Sequence, residues 1–567
     1  MPKWTKEQMD AITKSGSNII VSAGAGSGKT AVLSQRVLDK INNGIHINEL
    51  LILTFTKAAS AEMKERIRGK LLSDPKYKDE IDLINSSYIT TFDSFALGVV
   101  KKYHYLLNVS SDISISDEAI ISIKSKEIMD SIFEELYSSG DEVFESIINK
   151  FCIKNDNNIR SNILKLANQI NNKINKYELI DYLRSDYFSD ENINKILSDF
   201  DEFIKLKKRI INLELNNLSY YTDSSFMESV YTSVSSLLSS KSSDLYKYSK
   251  VILPNLPRGS SEEAKSIKSN VKKILDELVA YGDYGSFDDI KNSILGNKII
   301  INKVLDIVSE YIRLLSDYKQ KNNIYTFSDI AYLSIKVLKD NKSVLDEIKS
   351  SFKEIMIDEY QDTNDIQDAF IKLIENNNVY MVGDIKQSIY KFRDSNPNIF
   401  KVKYDKYSLG DGGIKIDLIK NFRSRSEVLD NINRIFELLM DNSIGGCDYK
   451  TSHEMVYGNT SYDEEKLKDY NYDIDILEYV DDSKEYSGSE IEIFTIDNDI
   501  KYKINSNIKI FDKKTNKLRD CKYSDFVIIL DRSKYFNLYK RVFEYLGIPL
   551  RILRVEDLNI PHCWLSA

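Results

Sequence analysis

Short aliphatic runs recur along the chain at wide intervals: Asn18-Ile-Ile-Val-Ser22, Leu50-Leu-Ile-Leu-Thr54, Glu354-Ile-Met-Ile-Asp358 and Val379-Tyr-Met-Val-Gly383. Runs this short, apolar on consecutive rather than alternate positions, predict strands buried on both faces. Helical patterns follow several of them, which predicts a parallel sheet with helices on both sides. Between the second and third runs the pattern changes. No proline falls between Pro75 and Pro254, and no glycine between Gly140 and Gly259. Inside that gap Ile159, Ile163, Leu166, Ile170 and Ile174 step by four, three, four and four. That is the helical period. The Ser-rich stretch Ser233–Ser243 reads as a loop or connection. From about residue 415 a second α/β segment is expected, with Asp525-Phe-Val-Ile-Ile-Leu530 as another buried strand and Tyr472-Asp-Ile-Asp-Ile476 as an alternating one. The pattern divides the chain into a first core in two parts (1–110 and 321–415), a helical insertion (111–320) and the beginning of a second core (416–567).

Composition narrows the class only a little. The 567 residues are 42% hydrophobic and 29% charged, ordinary for a folded domain protein. Cys152, Cys447, Cys521 and Cys563 are too few and too scattered for a disulfide scaffold or a C-x-x-C clip, and four histidines make a zinc site unexpected. The net charge of −9 excludes a polycation but not a local basic groove for nucleic acid. Apolar runs of about five residues are too short to span a membrane, and the N-terminus has no apolar leader. No membrane association and a cytoplasmic location are expected.

Chemistry is concentrated in the α/β part. The first strand runs into Ala23-Gly24-Ala25-Gly26-Ser27-Gly28-Lys29-Thr30 and then a helix, Ala31–Ile41. Small residues let the backbone curl so that its N–H groups face phosphate oxygens. Lys29 would reach the β- and γ-phosphates and Thr30 would hold Mg²⁺. Ala23 stands where such loops usually open with glycine, which is tolerable if its φ stays negative. The third run ends in Asp358-Glu359-Tyr360-Gln361-Asp362. Asp358 suits Mg²⁺, and Glu359 suits a base that deprotonates an attacking water. Such a pair more than 300 residues after the phosphate loop argues against a simple nucleotide kinase.

In order along the chain these motifs, with Trp4-Thr-Lys-Glu-Gln8, Leu53-Thr-Phe-Thr-Lys-Ala-Ala59, Thr90-Thr-Phe-Asp-Ser-Phe95, Thr326-Phe-Ser-Asp-Ile330, Val382-Gly-Asp-Ile-Lys-Gln-Ser-Ile-Tyr-Lys-Phe-Arg393 and Asn421-Phe-Arg-Ser424, resemble superfamily 1 DNA helicases of the UvrD/Rep type. The chain is most similar to the N-terminal half of the large subunit of bacterial helicase–nucleases, the AddA type. The resemblance implies a P-loop (RecA-like) parallel-sheet core interrupted by a large helical insertion and followed by an incomplete second α/β core. It implies an ATP-dependent helicase, moving 3′–5′ on single strands, that processes double-strand DNA ends with Mg²⁺ and a second, AddB-type subunit. By resemblance Gln8 reads adenine with Phe422 stacked on the base, Gln387 senses the γ-phosphate, and Arg423 is an arginine finger. Phe55, Thr56, Ser94, Tyr390, Phe392 and Arg393 would contact the strand, since aromatic faces and a guanidinium suit unpaired bases of any sequence. The residues alone also allow Tyr390 and Phe392 to be a core pair and Phe55 a strand-end core residue, and Lys64, Arg66, Arg68 and Lys70 read as a solvated helix face. The chain departs from the family at Asp93, where the motif usually carries histidine. Nothing after Arg423 matches the remaining motor motifs or the nuclease domain, so the isolated chain is expected neither to unwind nor to cut DNA. A nucleotide-binding fragment without turnover and a non-motor P-loop enzyme are the competing expectations.

Overall fold

The computed structural model describes residues 4–116, 118–152, 154–391, 394–441, 444–460, 473–480, 485–512, 515 and 517–552. The chain forms two compact units. One comprises Met1–Phe92, Glu347–Asp368 and Ile374–Ala567; the other comprises Asp93–Asp346 with Ala369–Leu373.

Among the described residues, eight strands lie between the start of the chain and Leu418: β1 Ile19–Ala23, β2 Leu50–Thr54, β3 Tyr88–Thr91, β4 Ser114–Ile115, β5 Ile324–Tyr325, β6 Glu354–Ile357, β7 Val379–Gly383 and β8 Ile414–Leu418. In the first unit, six of them make one sheet in the order β3-β2-β6-β7-β1-β8. Every pairing is parallel. Each residue of β1, β2, β6 and β7 is buried, as the unbroken aliphatic runs predict for a sheet covered on both faces. The expected core boundary at 415 cuts through β8. That strand pairs with β1 from Ile19↔Ile414 to Ala23↔Leu418, so this sheet ends at Leu418. Three helices serve the site: α1 Lys6–Thr13, α2 Lys29–Asn42 and α3 Lys57–Leu72. No helix among the described residues is long and apolar enough to cross a membrane.

Arg36 of α2, fully buried, ties this unit together. Its guanidinium makes a two-pronged ion pair with Glu354 at the start of β6 and donates to the Ala11 and Ile12 carbonyls at the end of α1 (2.9 and 3.2 Å). It also lies 4.1 Å from the centre of the Tyr380 ring on β7. The Lys40 ammonium is 3.3 Å from the same Glu354 carboxylate.

The second unit is mostly helical. Helices Glu118–Ser139, Asn157–Asn171 and Lys298–Asn322 enclose one apolar cluster around Phe133, Phe144 and Tyr311. Helices Asp190–Ser219, Ser224–Ser239 and Glu262–Tyr281 enclose another around Ile211, Val234 and Leu275. β4 and β5 pair in parallel, Ser114 with Ile324, where the chain enters and leaves this bundle.

Two expectations fail. The Ser-rich stretch is not a loop but the end of helix Ser224–Ser239, where Val230, Val234 and Leu237 face the core. Its serines turn their hydroxyls back onto the carbonyls of the preceding turn, as Ser233 does to Val230 (2.7 Å) and Ser239 to Ser235 (2.7 Å). The buried strand expected at 525–530 joins no ladder. Phe526, Ile528 and Leu530 rest on the cluster formed by helices Gly488–Asn505 and Phe536–Leu546, while Val527 and Ile529 are 81% and 89% exposed. With no neighbouring strand among the described residues, one face of the segment packs and the other does not. Residues 473–476 likewise join no ladder, and Tyr472 lies outside the described residues.

Candidate functional site

In a parallel sheet all strand C-termini share one edge, and a crevice forms there where the strand order reverses. β1, β2, β6 and β7 therefore deliver their following segments to one edge. The loop after β1 spans Gly24–Gly28. Ala23 remains in the strand, and Gly26 and Gly28 take positive φ of 70° and 87°. Glycine is needed at Gly26 for space as well: a Cβ there would lie 2.6 Å from Asn421 Oδ1. Gly28 then caps α2, and Lys29 and Thr30 are the first residues of that helix. The unpaired N–H groups of a helix start, with its positive dipole end, favour an anion. Ser27 Oγ is buried in the loop without a hydrogen-bond partner, a polar group available to a ligand.

The acidic segment follows β6. Asp358 is still held by the sheet through its N–H to Leu53 O (2.9 Å), and Glu359 adopts a left-handed backbone at φ 51°. Glutamate rarely adopts that conformation. It brings the Glu359 carboxylate to the Lys29 ammonium, 3.0 Å to Oε2 and 3.3 Å to Oε1, across 330 residues of sequence. Gln387 joins from the segment after β7, its Oε1 3.4 Å from Lys29 Nζ. Burial pushes the Asp358 and Asp362 carboxyls up to about 6, the Glu359 charge pushes the same way, and Lys29 opposes both. One ammonium thus moderates three carboxylates, a charge balance that a polyanion with a divalent cation would complete.

Gln8 on α1 is buried. Its Oε1 accepts from Thr5 N (3.0 Å) in a capping box, and its Nε2 donates to Ser27 O in the phosphate loop (3.0 Å). The Asn421–Ser424 segment follows β8 and lies on the same loop. Phe422 N donates to Gly26 O (2.9 Å) and Asn421 Nδ2 to Ala25 O (2.7 Å). Asn421 Oδ1 accepts from the Arg423 and Ser424 N–H groups (2.8 and 2.9 Å), which fixes the turn that carries Arg423.

Of the proposed strand contacts, Phe55 after β2 and Tyr390 after β7 come together, their rings 4.4 Å apart and inclined by 32°. The Thr56 hydroxyl caps α3, accepting from Ala59 N (3.1 Å). Ser94 lies near the start of helix Phe92–Lys102, in the second compact unit. Phe392 and Arg393 lie outside the described residues. The basic row on α3 is not uniformly solvated. Arg66 and Arg68 pair with Glu62 and Glu65, but the Lys70 ammonium reaches Ser34 Oγ (2.9 Å) and Gln35 Oε1 (3.2 Å), and burial lowers its pKa.

Sequence reasoning missed the supporting side chains. Asp384, 1% exposed, accepts from Gln387 Nε2 (2.8 Å) and from Lys386 Nζ (2.8 Å), so it orients the Gln387 amide. His453 lies 3.3 Å from Lys386 Nζ, and burial lowers its pKa to about 4. Gln361 donates to Glu359 Oε2 (2.9 Å). Only their place inside the quoted motifs could have flagged Asp384 and Gln361; nothing in the sequence marks His453.

Comparison with known proteins gives a consistent result. Residues 4–248 and 285–408 match the UvrD/REP helicase N-terminal domain. The A subunit of the ATP-dependent helicase/nuclease of Clostridium botulinum strain Alaska E43 is 33% identical over 94% of this chain and 48% of its own length. The proteins of the same name from Clostridium beijerinckii and Ligilactobacillus salivarius are each 30% identical, over 94% and 97% of this chain and 48% of their own lengths. The chain spans about half the length of the curated relatives it matches.

Proposed function

The chain belongs to the UvrD/Rep helicase family, and from that premise we propose that it is the ATP-hydrolysing part of a DNA motor. The observation that carries the reading is the meeting of Lys29, Glu359 and Gln387 at one sheet edge. In this reading the loop 23–30 (Ala23, Gly24, Ala25, Gly26, Ser27, Gly28, Lys29, Thr30) cradles the phosphates of ATP. Lys29 exchanges the Glu359 carboxylate for phosphate oxygens, which frees Glu359 to accept a proton from the attacking water. Gln8 and Phe422 hold the adenine, Gln387 senses the γ-phosphate, and Arg423 stabilises charge on the transferring group. Thr30 and Asp358, both hard oxygen donors, would hold Mg²⁺. The metal supplies neutralisation of phosphate charge.

Phe55, Thr56, Ser94, Tyr390, Phe392 and Arg393 bind single-stranded DNA in the same reading. The first core occupies 1–110 and 321–415, the helical insertion 111–320, and a second core begins at 416. The relatives' name further supports a DNA-end-processing helicase–nuclease, moving 3′–5′ with a second subunit of AddB type.

The test contrasts two variants. Lys29→Ala should lose binding of a non-hydrolysable ATP analogue by about 10–100-fold, the worth of a charge-assisted hydrogen bond. Glu359→Gln should bind it normally, while hydrolysis stimulated by single-stranded DNA falls by about 10²–10⁴-fold. Full turnover in Glu359→Gln would place the base elsewhere.

A further inference from the structure

We propose that Gln361 is the positioning residue that links the DNA-contacting segment to the general base. The proposal rests on the functional reading above and adds to it the residue through which the strand acts.

Gln361 sits in the turn Tyr360–Asp362 and is 1% exposed. Its amide bridges two motifs that meet only in the fold. Oε1 accepts from the backbone N–H of Asp384 (3.0 Å), the first residue after β7. Nε2 donates to Glu359 Oε2 (2.9 Å) and to Asp362 Oδ2 (3.3 Å). The orientation of the amide is forced. A backbone N–H can only donate, so the oxygen must face Asp384 and the NH₂ must face the carboxylates. A second, independent observation concerns Gly383. Its φ is not in the left-handed region, so conformation does not call for glycine there. Space does: a Cβ at Gly383 would lie 2.5 Å from Gln361 Oε1 and 3.1 Å from Gln361 N. The backbone of β7 is packed against this amide, so any shift of the segment after β7 is felt by it.

That segment is the one that reaches the strand. Beyond Asp384 it carries Gln387, then Ser388, whose Oγ is 3.5 Å from Gln361 O, then Tyr390 against Phe55. Glu359 is gripped from two sides, by Lys29 and by Gln361. Once Lys29 turns to phosphate, Gln361 is the remaining side-chain donor to this carboxylate among the described residues. It then sets where the base points, and it moves with the segment that binds DNA. A base displaced by about 1 Å can lose on the order of 10²-fold in rate.

The experiment measures ATP hydrolysis by the full chain with and without single-stranded oligonucleotide, together with affinity for a non-hydrolysable ATP analogue. Gln361→Met keeps the size and removes both hydrogen bonds. Gln361→Glu keeps the acceptor toward Asp384 but sets a carboxylate against Glu359. For Gln361→Met the expected result is a loss of about 10–100-fold in strand-stimulated kcat, with analogue affinity within about twofold of the parent. For Gln361→Glu the acid limb of the pH–rate profile should move up by about one pH unit, because a second negative charge raises the pKa of the base. A purely packing role would leave that limb in place. Parent-like stimulation in Gln361→Met, or an unmoved acid limb in Gln361→Glu, overturns the inference alone. A parent chain whose hydrolysis ignores single-stranded DNA overturns the functional reading and this inference with it.

Discussion

At the scale of single residues the site is a charge balance with more acid than base. Asp358 has its pKa raised from 3.8 to about 6, first by burial and then by Glu359. A protonated carboxyl is a poor ligand for a hard cation, so the affinity of Mg²⁺–nucleotide should fall as pH drops below about 6. Titrations with the ATP analogue at constant ionic strength would read this, and a flat profile from pH 8 to 5 would count against Asp358 as a ligand. Stability runs the other way. The folded value exceeds the unfolded one, so the native state binds the extra proton between about pH 4 and 6. The ionised side chain therefore destabilises the fold above pH 6, and that penalty vanishes as pH falls toward 4. Asp358→Asn should accordingly raise the thermal midpoint at pH 8 and leave it nearly unchanged at pH 4. Lys29, Glu359, Asp358 and Gln387 were all legible in the sequence, because residue type and position after a strand carry their chemistry. The residues that aim them were not. Gln361 and Asn421 are polar side chains in loops, and their roles come from backbone atoms that only the fold brings within 3.0 Å.

At the scale of elements, the strands of the sheet were readable because consecutive aliphatic residues buried on both faces have few alternatives. The same reasoning failed at 525–530, where the pattern was right and the partner strand was lacking among the described residues. It was silent on Arg36, since an arginine at mid-helix is ordinarily a surface residue. Here Arg36 joins α1, α2, β6 and β7 behind the phosphate loop. Arg36→Ala would strand the buried Glu354 carboxylate and should destabilise the first unit by about 3–5 kcal/mol. The double variant Arg36→Met with Glu354→Met should recover most of that loss, because an apolar pair of similar volume needs no desolvation of charge. Urea midpoints of the singles and the double test this, and simple additivity would show that the two side chains do not act as a pair.

At the scale of the whole molecule, the net charge of −9 sets a demand on any DNA contact. Binding must come from local groups, so affinity for single-stranded oligonucleotides should fall linearly on a logarithmic salt scale and show little sequence preference. Phe55→Ala and Tyr390→Ala should each weaken it by about 1–3 kcal/mol. Because the two rings touch, the double variant should cost less than the sum. Fluorescence anisotropy at several salt concentrations measures all three, and unchanged affinity in both single variants would assign these rings to the core. Sheet order carries a further consequence, for the birth of the protein. β1, which leads into the phosphate loop, lies between β7 and β8, the last two strands of its sheet to be made. A ribosome adding about 5–20 residues per second leaves the apolar segment Ile19–Ala23 without either neighbour for roughly 20–70 seconds. During that time the nascent polypeptide displays an unpaired hydrophobic strand that a holding chaperone would recognise, and nucleotide cannot assist folding until residues near 420 have left the exit tunnel.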